Sequence, residues 1–339
     1  MSTRHGLLSL LLATVLGAGG CAQLPPDTGS PLASQLNTPA PKPARGVPEP
    51  YGSVLEPAGS HRAQEMTIAP EKLRGSLRPD DKAPAERVPR ILARGRLIVG
   101  VDQSNNLMSY RDTVTGDLRG FEVDIAREIA RDIFGDPGKV DFRFVTSAGR
   151  VPALQRGDVD IIIRSMTVTA KRQEQLEFSL PYMVAHTRML VETRSGIRSL
   201  DNMAGRTACA TRGSTSVEWV RDRAPEADIL ITNNWGDCLM ALQLGQVDAI
   251  VTDDALLSGM KAQDPYTAIV GEKLSTELYA VGVASGNNGL VRQVNSTLQR
   301  IRSDGTWDDI FDEWLGQYLP RPTLPPENFR DEPKGQAHG

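Results

Sequence analysis

The sequence predicts an α/β protein made of two like lobes, each built around a parallel sheet. The first observation is a repeat. Ala153-Leu-Gln-Arg-Gly-Asp-Val-Asp-Ile-Ile-Ile-Arg164 returns 88 residues later as Ala241-Leu-Gln-Leu-Gly-Gln-Val-Asp-Ala-Ile-Val-Thr252, with seven of twelve positions identical. Each copy reads as a helix end, a Gly stop, a tight turn and a buried strand, and the separation is too long for a solenoid. The second observation is an alternation of strand-like and helix-like apolar runs around both copies, as parallel sheets require. The third is a pair of extended runs, Thr187 to Glu192 and Leu278 to Val283, placed to cross between the lobes as a hinge.

Element by element, Arg96 to Asp102 is a short apolar run of the buried-strand kind. Phe121, Ile125, Ile129 and Ile133 recur every four residues and form one helix face, which Gly135 can end. Val140, Phe142 and Phe144 alternate with polar residues as in a strand, and the first repeat copy completes β-α-β-α-β. The second half repeats the scheme: a strand from Arg206 to Thr211, a helix containing Val217 and Val220, a strand from Ile229 to Thr232, a helix that Asp237 can cap, and a strand from Val247 to Val251. Helices from Gly289 to Ile301 and from Trp307 to Leu315 return to the first lobe.

The ends of the chain have a different composition. Arg4, the apolar run Leu7 to Leu16, and Gly17-Ala-Gly-Gly20 before Cys21 have the layout of a secretory signal peptide. The run is shorter than the roughly 20 residues a membrane span needs. A Cys after small residues resembles a bacterial lipobox, with Ala18 where Leu is usual, so Cys21 is the expected lipidation site. Residues 21–88 hold more than half of the 23 prolines without sustained periodicity, and are expected to be a disordered, lipidated tether. A disordered tail is expected over 321–339. Cys209 and Cys238 are an even pair suited to a disulfide in an oxidising compartment, two buried thiols being the alternative. A net charge of −4 argues against a nucleic-acid partner, and four His make zinc chemistry an unpromising reading; no cofactor or metal is expected.

In open α/β sheets ligands bind beyond the carboxyl ends of strands. The repeat copies end in Arg164-Ser165 and Asp253-Asp254, a cation and an anion suited to a zwitterion. Here the residues resemble a known family. Val99-Gly-Val-Asp102, Gly120-Phe-Glu-Val-Asp-Ile-Ala126, Gly157-Asp-Val-Asp160, Met166-Thr-Val-Thr-Ala-Lys-Arg172 and Phe178-Ser-Leu-Pro-Tyr182 resemble the extracellular polar amino-acid-binding proteins of ABC transporters, solute-binding family 3. The likeness spans about residues 90 to 320. The Cys209/Cys238 pair, Trp235-Gly-Asp-Cys-Leu and Thr252-Asp-Asp254 look like actinobacterial glutamate-binding lipoproteins.

The resemblance implies a two-lobed periplasmic-binding-protein type II fold, with lobe 1 from 89–186 plus 279–320 and lobe 2 from 187–278. It implies a non-enzymatic, monomeric protein anchored outside the cytoplasmic membrane that closes on glutamate or aspartate and delivers it to an ABC permease. A sensor signalling to a membrane protein is the alternative, and a same-fold dehydratase a further one. By resemblance, Arg172 holds the ligand α-carboxylate, a task that suits a bidentate guanidinium. Thr169 and Ala170 start its helix, and Ser165 and Thr167 add donors. Gly213, Ser214 and Thr215 close over the carboxylate, and Asp253 receives the ammonium. Arg150 and Arg164 are candidates for a side-chain carboxylate, with a structural ion pair as the alternative for each. Counting Arg150, Arg164 and Arg172 against Asp253 leaves about +2, which favours an acidic ligand. The aromatic residue that many members place after the first strand is missing from Gln103 to Ser109, where Asn105 and Asn106 are candidate donors or turn residues.

Overall fold

The computed structural model describes residues 46–64 and 70–330. The signal-peptide, Cys21 and early-tether expectations lie outside these residues.

The sheet of the first lobe runs in the order Val140–Phe144, Leu97–Val101, Ile161–Ile162, Glu277–Ala284, Leu176–Ala185. Its first three strands are parallel, and the last two are antiparallel to their neighbours. Leu97, Val99 and Val101 are fully buried, the run reading as a strand covered on both faces. The Phe121–Phe134 helix packs its predicted face inward and ends at Gly135 in the left-handed conformation. Against it lie the Asn288–Ser303 and Thr306–Trp314 helices, returned from beyond the second lobe, with Trp307 and Phe311 edge-on to Phe121.

The second lobe's sheet runs Val54–Glu56, Asp228–Thr232, Thr207–Thr211, Ala249–Asp253, Thr187–Glu192, Thr267–Val270. Its three central strands are parallel. The two repeat copies do the same physical work in the two lobes. Gly157 and Gly245 both adopt positive φ (72° and 65°) just after the helices Arg150–Gln155 and Trp235–Gln243, a conformation that favours glycine. The shared aspartates follow. Asp160 Oδ2 accepts the Ile98 N–H at 2.7 Å, and Asp248 Oδ2 accepts the Thr207 N–H at 2.9 Å. Each carboxylate thus pins the neighbouring central strand at its start. Asn234, not Asp237, caps the second of these helices: its side chain accepts the Asp237 N–H.

Two crossings join the lobes. Leu176–Ala185 passes into Thr187–Glu192 through His186 alone, and Thr267–Val270 leads back to Glu277–Ala284. His186 ties the crossings together: its N–H donates to Asp254 Oδ1 (2.9 Å), and its Nδ1 lies 2.9 Å from the Ser275 carbonyl.

The expectation of disorder from 21 to 88 and beyond 320 does not hold for the described part of either end. Val54–Glu56 adds an edge strand to the second lobe, and Ser76–Leu77 pairs with Phe329–Arg330 beside the first. Proline-rich composition weakens helices and central strands, but an edge or extended segment needs donors on one side only. Buried Glu56 and Leu77 supply the anchoring that composition did not reveal.

Cys209, on the central strand Thr207–Thr211, is disulfide-bonded to Cys238 on the Trp235–Gln243 helix, 29 residues away. Closing a loop of that length stabilises by about 3–4 kcal/mol on the chain-entropy argument. Replacing both cysteines with serine should lower the urea-unfolding free energy by about that amount. Unchanged stability under oxidising conditions would contradict the loop-closure account.

Candidate functional site

The strand ends of the two lobes face a narrow cavity. Ser147, Arg150, Arg164, Ser165, Thr167 and Arg172 line it from the first lobe; Ser214, Thr215, Ser216, Trp235, Thr252, Asp253 and Leu256 line it from the second. Gly213 contributes its carbonyl at the mouth.

Arg172 lies on a one-turn helix, Ala170–Gln173, whose N-cap Thr169 accepts the Arg172 N–H. Its guanidinium donates to the Thr167 carbonyl (2.6 Å) and, across the gap, to the Gly213 carbonyl (3.0 Å). Arg150 is buried and donates to the carbonyls of Ser147, Arg164, Ser165 and Gly213 at 2.9–3.2 Å. Among the described residues, none of the hydrogen bonds from these two guanidiniums goes to a carboxylate. Burial lowers both pKa values from the usual arginine range, and the neighbouring Arg172 and Arg164 lower that of Arg150 further. A site that holds two cations on carbonyls is primed for an anion.

The opposite wall is acidic. Asp253 occupies the N-cap position of the Asp254–Gln263 helix but makes no cap bond. Its carboxylate instead accepts from Thr187 Oγ1 (2.8 Å) and from the Tyr279 hydroxyl. Glu277, also buried, accepts from Ser275 (2.8 Å), Trp219 Nε1 (3.2 Å), Thr187 and Thr215. Burial, reinforced by the Glu277 charge, pushes the Asp253 pKa up to about 8. Among the described residues no cation donates a hydrogen bond to either carboxylate, though Arg172 lies within electrostatic reach of both, and an ammonium group would supply a direct partner.

Residues 97–317 match the profile of the bacterial extracellular solute-binding proteins, family 3. The chain belongs to this family. Among family relatives, it is 37% identical to the ABC transporter glutamine-binding protein GlnH of Bacillus subtilis over 65% of this chain and 81% of that one. It is 27% identical to the glutamate-binding protein GluB of Corynebacterium efficiens over 67% and 81%. An ancestral arginine-binding protein, solved bound to glutamine, superposes with a TM-score of 0.62 at 35% identity, covering 66% of this chain and 99% of its own.

Several expectations need correction within this family frame. Arg164 lines the cavity, but as half of an ion pair, the alternative the sequence left open, and not as a spare cation. Its guanidinium pairs with fully buried Asp102 and donates to Ser147 Oγ (2.6 Å), leaving only Nε without a partner among the described residues. The pair joins positions 62 residues apart, beyond the reach of local pattern. The count of +2 therefore fails: Asp102 cancels Arg164, and Glu277 adds an acid. Ser165 lines the cavity, yet its N–H and hydroxyl both donate to Glu122 Oε1, at 2.5 and 3.0 Å. Glu122 is itself buried, which raises its pKa, and also receives the Tyr182 hydroxyl. This clamp holds Ser165 at φ 42°, a strained conformation for a side-chain-bearing residue. Asn106 donates to the Gly259 carbonyl of the second lobe (3.2 Å), and buried Asn105 has no partner for its amide among the described residues.

Trp235, Glu277, Asp102 and Glu122 were not singled out as site residues. Trp235 puts an aromatic ring in the cavity from the second lobe, where the first lobe has none after its opening strand. Its motif was visible, but the side of the cleft it would occupy was not. Nothing local marks Glu277, a single acid at the start of a strand.

At neutral pH Asp253 is mostly protonated in the empty protein, and an ammonium group requires it ionised. Affinity for an amine-bearing ligand should therefore rise between pH 6 and 8, by up to about tenfold per unit, and flatten above. Calorimetry at pH 7 in buffers of different ionisation enthalpy should register release of close to one proton. Affinity flat across this range would contradict the arrangement.

Proposed function

We propose that this protein captures an amino acid in the interlobe cleft and presents it to an ABC permease from outside the cytoplasmic membrane, where Cys21 would carry a lipid anchor. The observation that carries the reading is the zwitterion complement: Arg172 and Arg150 on one side, Asp253 with Glu277 on the other. In this reading the α-carboxylate takes over the bonds that Arg172 now gives to the Gly213 and Thr167 carbonyls. Ser214 and Thr215 close over it, and Asp253 receives the ammonium. A carboxylate offers the Arg172 guanidinium a bidentate ion pair in place of neutral carbonyl acceptors.

For the side chain we propose glutamate, then aspartate. Arg150 supports this as a buried cation held only by carbonyls, and a glutamate-binding relative is consistent with it. Glutamine is the second reading, favoured by the 37% identical glutamine-binding relative and by Asp102, which neutralises Arg164 and so lowers the positive charge beside the cleft. Binding is favoured over catalysis, because the matched family is one of solute-binding proteins and the cleft sets a cationic wall against an acidic one. A role as sensor would use the same site with a different membrane partner.

A calorimetric screen of the twenty amino acids against the full chain tests the reading. Glutamate should bind at least about tenfold more tightly than glutamine, a difference of ~1.4 kcal/mol. The Arg172→Ala variant should lose at least about a hundredfold in affinity while keeping its melting temperature. Affinity within about tenfold of the wild type in that variant would refute the carboxylate assignment, and tighter binding of glutamine would overturn the acidic preference.

A further inference from the structure

Two described stretches before the family region, 46–64 and 70–77, contact the lobes beside the cleft. The family match begins at residue 97, so these stretches are an addition to the shared fold. On the second lobe, Val54–Glu56 extends the sheet, and Glu56 receives two bonds from Arg221 (2.8 and 2.6 Å). Arg221 also pairs with Glu218, one turn earlier on the Ser216–Arg223 helix. That helix follows the Gly213–Thr215 loop. Glu218 then accepts the Gln64 N–H at 2.6 Å.

On the first lobe the contacts fall on the one-turn helix that carries Arg172. Lys171 Nζ donates to Gln64 Oε1 (3.0 Å), so Gln64 joins both lobes at once. Arg74 N–H donates to Gln173 Oε1 (2.9 Å), Gln173 Nε2 donates to the Arg74 carbonyl (2.6 Å), and the Arg74 guanidinium reaches the Gln173 carbonyl and Glu177. Lys171 and Gln173 are the two chain neighbours of Arg172. Gln64 lines the outer pocket at the cleft mouth with Arg172, Gly213, Ser214 and Glu218.

We infer that these stretches form a clasp on the closed cleft, with Gln64 and Arg74 as positioning residues for Arg172. The inference rests on the ligand-binding reading above. Arg74 orients the helix, and Gln64 bridges Lys171 to Glu218 only while the lobes are together. A contact present in the closed form alone shifts the population toward it and slows ligand escape.

The test uses the full chain, with glutamate and glutamine as probes. Gln64→Pro removes both the N–H that Glu218 accepts and the side chain that Lys171 reaches. It should weaken binding about five- to tenfold, chiefly through faster dissociation in stopped-flow measurements, while the ligand-free melting temperature stays put. Gln64→Ala and Lys171→Met, singly and together, should show non-additive losses, as partners in one contact do. Wild-type affinity and dissociation rate in Gln64→Pro would overturn the clasp, as would strictly additive losses in the cycle. A wild-type chain that binds no amino acid would defeat the binding reading and the clasp together. Binding that is unaffected by the variants defeats the clasp alone.

Discussion

The carbonyl of Gly213 receives hydrogen bonds from both Arg150 and Arg172, and this meeting joins the two lobes. The carbonyl belongs to one lobe and the guanidiniums to the other. The approach is close enough to exclude a side chain: Gly213 has φ 79°, and a Cβ there would lie 2.8 Å from the Ala148 Cα. A backbone oxygen is a weak partner for two partly desolvated cations. The cleft therefore holds unspent electrostatic attraction, which a carboxylate group can use.

The acidic wall is the matching half. Asp253 and Glu277 share the one hydroxyl of Thr187 inside a buried layer, where burial, and after it the Glu277 charge, favours a proton on Asp253. In the proposed reading, opposite ends of one zwitterion would complement the two walls. Between them, Glu122 holds strained Ser165, whose carbonyl in turn receives Arg150. Strain of this sort persists only where the surroundings over-determine it, and here they include Tyr182 as a further donor to Glu122.

Much of the fold could be read from the repeat at 153–164 and 241–252, because local chemistry recurs in both copies. Gly157 and Gly245 stop helices through backbone conformation, and Asp160 and Asp248 pin adjacent strands. The resemblance brought together residues that line the cavity, including Arg172 and Asp253, but not their partners. Asp102 and Arg164 pair over 62 positions, and Glu277 reaches Thr215 over a similar distance. Such pairings follow from topology, to which composition and periodicity are blind. The segments before residue 89 misled for a related reason: their order comes from docking onto lobes that precede no recognisable pattern of their own.

The most direct test of the account is a crystal structure of the chain with its best-binding amino acid. The α-carboxylate should lie within hydrogen-bond distance of the Arg172 guanidinium, with the ammonium on Asp253. At least one of the bonds now made to the Gly213 carbonyl should have transferred to the ligand. A ligand bound outside the cleft, or with its ammonium toward Arg172, would contradict it.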